Sequence, residues 1–255
     1  MPDAAVNGIT IHWEEWGSGF PILLTHGYGA TGRMWRDQGE ALGDRYRIIA
    51  WDMRGHGGTD SPPDPKAYSE ALTIADMAGL LDHLGEREAV VGGLSLGGYM
   101  SLAFYVAHPE RVRALILCDT GPGYRSADAR AQWNDFAFGM AKRLREEGLE
   151  ALRGSAEIEA TRALHRSAEG LAMAAEGMLA QFDSRIIDAL PSIAVPALVI
   201  VGERDKRYFA GTDYMAAKIP GARKVVVPGA GHAANIDQPE FFNRTVREFL
   251  ESAGL

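Results

Sequence analysis

Short apolar runs alternate with stretches of helical periodicity along most of this chain. The runs at residues 21–25, 46–51, 89–92, 114–118, 197–201 and 224–227 are mostly continuous in apolar character rather than alternating. A strand covered on both faces has no polar side, so these runs predict parallel strands buried between helices. A leading pair of strands around residues 9–16 precedes them. Between runs, Thr73 with Asp76 reads as a helix N-cap pair, and Ile74, Met77, Ala78, Leu81 and Leu84 fall on one face. Gly85 supplies the stop. Phe242, Val246, Phe249 and Leu250 give the last helix a similar stripe. The alternation predicts an α/β fold with a mostly parallel central sheet flanked by helices.

The rhythm breaks after residue 120. From 121 to 190 helix formers dominate and no strand-like run appears, so residues 1–120 and 191–255 are expected to form the core around an inserted helical lid. That insertion carries Trp133, Phe136, Phe138, Met140, Met173, Met178 and Phe182. Singly, such residues at helical spacing read as core; together they read as the roof of a mostly apolar pocket.

Composition narrows the function classes. At 255 residues and 46% hydrophobic content the chain accommodates one sizeable core, and a net charge of -8 disfavours a nucleic-acid partner. No run is long enough for a membrane span, and the first residues lack a basic, apolar signal region, so a cytoplasmic protein is expected. The single cysteine, Cys118, lies in an apolar run and reads as packing. No closely spaced His, Cys and carboxylate cluster marks a metal site, and neither metal nor cofactor is expected. Oligomeric state stays open at this level.

The chemistry concentrates at strand ends. Gly93-Leu94-Ser95-Leu96-Gly97 follows one apolar run and precedes a helical stretch, which is the pattern of a strained strand-to-helix turn that lifts a serine clear of a sheet. Gly92 to Gly97 also begins like a phosphate-binding loop, but Gly98 and Tyr99 stand where Lys and Ser or Thr are required. A serine hydroxyl needs an adjacent base, and that base needs an orienting acid. His232, after Gly229-Ala230-Gly231 at the end of a late strand, is the candidate base, and Asp205 in Gly202-Glu203-Arg204-Asp205 is the candidate acid. Asp119, ending residues 114–118, competes for the acid role, as does Glu203 more weakly. His12, His83 and His108 read as structural.

Acyl transfer also needs donors for the oxyanion, and the backbone N–H groups of Leu96 and Tyr28 are the candidates. His26 and Gly27 belong to the same loop as Tyr28 and, with Trp133, Phe136 and Met140, are candidate pocket residues; His26 is also expected to shape that loop. The turn Asp52-Met53-Arg54-Gly55-His56-Gly57 reads as a loop brace.

Taken in order, His26-Gly27, the turn at 52–57, the serine elbow, Gly202 to Asp205 and Gly229 to His232 resemble the α/β-hydrolase superfamily over nearly the whole chain. The resemblance implies that fold, and a serine at the elbow implies its small esterase and enol-lactonase branch rather than its epoxide hydrolases, which carry a carboxylate there. The implied reaction is cleavage of a small carboxylic ester or lactone through an acyl-enzyme on Ser95. Residues 202–209 also resemble the menaquinone-pathway synthase of the same superfamily, so a triad-dependent carbon–carbon hydrolase or lyase is the alternative. An anionic substrate of that kind would call on Arg54, Arg125, Arg204 or Arg207. A non-catalytic small-molecule receptor is the remote third reading.

Overall fold

A computed structural model describes residues 3–255; Met1 and Pro2, part of the stretch read for a targeting signal, lie outside the described residues. Eight strands form one sheet: β1 (Asp3–Val6), β2 (Ile9–Trp16), β3 (Phe20–Thr25), β4 (Tyr46–Trp51), β5 (Ala89–Leu94), β6 (Val112–Cys118), β7 (Ala197–Gly202) and β8 (Arg223–Val227). Their order is β1-β2-β4-β3-β5-β6-β7-β8. The leading hairpin joins antiparallel, and every pairing from β4 through β8 is parallel.

Continuous apolar strands have a physical reason here. Leu23, Ile49, Val91, Leu115 and Val199 face one core, while Ile22, Ile48, Val90, Ile116 and Leu198 face the other. Helices α1 (Arg36–Leu42) and α10 (Pro239–Ser252) cover the second face with Leu42, Phe242, Val246 and Phe249. Helices α2 (Glu70–His83), α3 (Leu96–Ala107) and α8 (Phe209–Lys218) cover the first with Met77, Leu80, Met100, Phe104 and Met215. A short helix α9 (Ala234–Asp237) leads into α10.

Helix α2 begins one turn before the expected cap. Ser69, not Thr73, accepts the Leu72 N–H at 3.1 Å, and the Thr73 hydroxyl donates back to the Ser69 carbonyl at 2.9 Å. Asp76 is no cap partner; it is fully buried and binds Arg54 through two hydrogen bonds of 2.7 Å. Asn7 adds a third, at 3.1 Å. Arg54 is therefore a buried structural cation that ties the turn after β4 to α2, not a substrate-facing one. Gly85 does end the segment, at φ +74°, where a β-carbon is disfavoured.

Between β6 and β7 the chain is helical: α4 (Ala127–Glu147), α5 (Ala156–Thr161), α6 (Ala168–Ala174) and α7 (Arg185–Ala189). It has a small core of its own, with Ala141, Leu144, Leu152, Leu171 and Ala175. Met173 and Met178 are buried, but Phe138 and Phe182 face solvent, at 44% and 69% exposure, so they are neither core nor roof. Among the described residues no helix is long and apolar enough to cross a membrane.

Removing one partner of a buried ion pair strands the other charge, at a cost of about 3–5 kcal/mol. Asp76→Ala is expected to lower the unfolding free energy by that amount in urea titration. A loss under about 1 kcal/mol would show that Arg54 is not held as described.

Candidate active site

Ser95 joins β5 to α3 with φ 53° and ψ −116°, a backbone state that L-residues rarely adopt. Its neighbours make the state possible. A β-carbon on Gly97 would collide with the Thr25 carbonyl, and one on Gly93 would lie 2.5 Å from that same oxygen. The elbow is pinned from β6, since the Ser95 N–H donates to the Cys118 carbonyl at 2.9 Å and the Thr120 hydroxyl donates to the Ser95 carbonyl at 2.6 Å.

The loops after β7 and β8 are cross-tied. The Arg204 N–H donates to the Ala230 carbonyl at 2.8 Å, and Glu203 accepts the Gly229 N–H at 2.8 Å. Glu203 thus braces the β8 loop, and it is Asp205 that pairs with His232. Asp205 Oδ2 lies 2.6 Å from His232 Nδ1, a charge-assisted hydrogen-bond distance, with Asp205 9% and His232 23% exposed.

Ser95 and His232 line one cavity, with no direct hydrogen bond between them in this conformation. The Ser95 hydroxyl instead meets the Tyr208 hydroxyl at 3.4 Å, and the Tyr208 ring stacks on the His232 imidazole at 4.9 Å between centroids. Catalytic hydrogen bonds in unliganded sites are often long and tighten around a substrate. Tyr208 was not among the sequence candidates. The only signal for it is its place one turn after Asp205, whose carbonyl accepts the Tyr208 N–H at 3.1 Å.

Asp119 is in the site but in a different role from Asp205. It sits at the end of β6 with φ 44°, fully buried, and its Oδ1 accepts the Gly202 N–H at 2.7 Å. Its Oδ2 is buried with no donor facing it, and its carboxyl lies against Asp205. Burial, and then the Asp205 charge, push the Asp119 carboxyl up to about 9, so it holds a proton at neutral pH that it can donate to Asp205. Donor atoms of Asp119, Asp205 and His232 lie within 4.8 Å of one another. The 2.6 Å Asp205–His232 separation is that of a charge-assisted hydrogen bond.

The loop after β3 is set by histidines. His26 is completely buried and does not line either cavity, contrary to the pocket role expected of it. Its Nε2 accepts the Met53 N–H at 3.0 Å, which places the proton on Nδ1, 2.7 Å from the Gly27 carbonyl. Burial lowers the His26 pKa to about 3, so the ring stays neutral. From the helical segment, His165 Nδ1 accepts the Gly57 N–H at 3.0 Å while its Nε2 donates to the Gly29 carbonyl at 2.8 Å. The loop Gly27-Tyr28-Gly29 is thereby held at both ends. No acceptor among the described residues takes the Tyr28 N–H, and Leu96 opens α3, where N–H groups have no intrahelical partner. Asp52 braces the neighbouring turn, accepting from Gly32 at 2.7 Å and Gly58 at 2.8 Å. Cys118 is buried, and burial raises its thiol pKa well above the ordinary value, which keeps it unreactive.

Two cavities flank Ser95. The smaller, about 170 Å3, runs past Leu96, Thr120, Trp133, Gln181, Arg207 and Tyr208. The larger, about 350 Å3, contains Gly27, Tyr28, Trp133, Phe136, Met140 and His232.

A model of the alpha/beta hydrolase family matches residues 22–245, and the chain belongs to that family. It is similar to a Bacillus subtilis protein named for 2-succinyl-6-hydroxy-2,4-cyclohexadiene-1-carboxylate synthase, with 31% identity covering 91% of this chain and 90% of the other. In three dimensions it is similar to an esterase from Thermogutta terrifontis, with TM-score 0.86 and 33% identity over 99% of this chain and 98% of that one. The enol-lactonase from Burkholderia xenovorans superposes with TM-score 0.84 and 30% identity over 98% of this chain and all (100%) of that one. The family and these neighbours make the chain a hydrolase enzyme.

The raised Asp119 carboxyl gives a signed pH test. The folded protein holds a proton that the unfolded chain, with an ordinary value of 3.8, releases, so this group lowers stability as pH rises towards 9. In Asp119→Asn the neutral side chain removes that dependence. Between pH 5 and 9 the wild-type unfolding free energy is expected to fall relative to the variant's by up to about 1.4 kcal/mol per pH unit. Parallel stability curves would contradict a proton shared between Asp119 and Asp205.

Proposed function

We propose that this protein is a serine hydrolase that cleaves a small carboxylic ester or lactone through an acyl-enzyme on Ser95. The observation that carries the reading is the 2.6 Å Asp205–His232 hydrogen bond beside a strained serine at the mouth of two cavities. In this mechanism His232 takes the Ser95 proton as Oγ attacks the carbonyl carbon, and Asp205 fixes the imidazole tautomer and stabilises the cation that forms. The Tyr28 and Leu96 N–H groups receive the oxyanion. Collapse of the tetrahedral adduct expels the alkoxide, which His232 protonates. Water, activated by the same imidazole, then releases the acid and restores the Ser95 hydroxyl. The helical segment 121–190 acts as a lid, its Trp133, Phe136 and Met140 walling the substrate space.

Ser95→Ala is expected to lower kcat on a p-nitrophenyl acylate by about 10⁴-fold or more, leaving the residual rate of the oxyanion site. Retention of activity within tenfold would refute the covalent route.

The likeness to the synthase-named relative favours one second reading, in which His232 and Ser95 only abstract a proton and no ester is cleaved. Intact-mass analysis during turnover of a slow ester separates the two. An acyl adduct on Ser95 is the expected result; neither adduct nor ester turnover, together with release of a ring-fission or elimination product from a separate cyclic carboxylate substrate, supports proton abstraction.

A further inference from the structure

Of the four arginines that the sequence offered for an anionic substrate, the structure leaves one for the site. Arg54 is committed to Asp76, Arg125 hydrogen-bonds Asp188 and Tyr214, and Arg204 reaches the Gly229 carbonyl. Arg207 lines both cavities beside Ser95. Among the described residues its guanidinium has no acidic partner. It lies instead against two aromatic faces, 4.8 Å from the Phe136 centroid and 5.3 Å from that of Trp133. Aromatic faces hold a guanidinium in place without using the hydrogen-bonding edge that matches a carboxylate in a two-pronged contact.

The smaller cavity sharpens the point. Arg207 is the one charged side chain that lines it. Gln181 also lines it, and its carboxamide is nearly buried with Oε1 unpartnered, although its backbone is clamped to Asn134 by bonds of 2.7 and 2.8 Å. A cation without an acidic partner, braced on two aromatic faces at the wall of a space of about 170 Å3 next to the serine, is complementary to a short chain that ends in an anion, whereas the unpartnered Gln181 Oε1 is an acceptor and offers that anion no hydrogen bond.

We infer that the substrate's acyl part carries a carboxylate, which enters the smaller cavity and is received by Arg207. The inference rests on the hydrolase reading above and specifies its substrate class. The rest of the molecule opposes anions, since the net charge is -8, so any preference for an anionic acyl group must arise locally.

The test compares monoethyl glutarate with its isosteric amide, ethyl 5-amino-5-oxopentanoate, by pH-stat, in wild type, Arg207→Gln and Arg207→Lys. Wild type is expected to favour the hemiester by at least about tenfold in kcat/KM. Arg207→Gln is expected to lower that ratio by about 10- to 100-fold, the range of a charged hydrogen bond, with Arg207→Lys falling between. A wild-type ratio of one or less, or a ratio that Arg207→Gln leaves unchanged, overturns the inference. Calorimetric titration with glutarate provides a readout apart from turnover. Glutarate binding that Arg207→Gln abolishes, in a protein that cleaves neither ester, supports the anion site while refuting ester hydrolysis. Cleavage of the amide ester with no glutarate binding refutes the anion site and leaves the hydrolase reading intact.

Discussion

The hydrogen bond between Asp205 and His232 sets the requirement that the surrounding sheet must meet. Its 2.6 Å length leaves little tolerance, so the loops after β7 and β8 must be fixed relative to each other. Parallel pairing of those strands, together with the Arg204–Ala230 and Glu203–Gly229 contacts, provides that fixity. Four adjacent strands, β5 to β8, each deliver one polar side chain at the carboxyl end: Ser95, Asp119, Asp205 and His232. Strands are spaced about 4.8 Å apart, so a serine three strands from the imidazole can meet it only where long loops lean back across the sheet edge. Tyr208 occupies that gap, touching Ser95 with its hydroxyl and His232 with its ring.

Burial sets the protonation states around this relay. His26 and His165 each have one nitrogen that accepts a backbone N–H and one that donates to a backbone carbonyl, so either would lose a bond on protonation. Burial holds both neutral, and His56, packed between them, is held neutral in the same way. The two donors to the loop of Tyr28 come from different parts of the chain. His26 belongs to the sheet core, whereas His165 belongs to the helical segment, so the position of that segment and the shape of the loop are mechanically linked. Asp119 completes the pattern on the acid side, where a neutral carboxyl relieves the repulsion that two buried carboxylates would generate.

Much of this was legible from residue pattern. Strands β3 to β7 announce themselves because burial on both faces removes most polar residues, whereas β8 is a partly exposed edge strand marked only by its valine run, and Ser95, Asp205 and His232 stand out because each follows a strand in a glycine-rich turn. The hidden parts depend on distant partners. Asp76 resembles a capping residue until Arg54 comes to it from the turn after β4, and the true cap, Ser69, precedes the apolar stripe by a full turn. Tyr208 and His165 carry no local motif; their places follow from how loops and the helical segment pack. Phe138 misleads because a helix packed on one side still leaves room for apolar residues facing water, and Phe182 because it lies in a connecting loop rather than on a helix. His26 misleads in the opposite sense, since its loop reaches the cavity while its ring turns into the core.

The central claim is that Asp205 and His232 activate the Ser95 hydroxyl, and the rate of fluorophosphonate labelling tests it most directly. Time-resolved intact-mass measurements on wild type, His232→Asn and Asp205→Asn should show one phosphonyl group on Ser95 in wild type. Both variants should label at least about 100-fold more slowly, in line with the contribution of a positioned base. Labelling at the wild-type rate in His232→Asn would contradict the account.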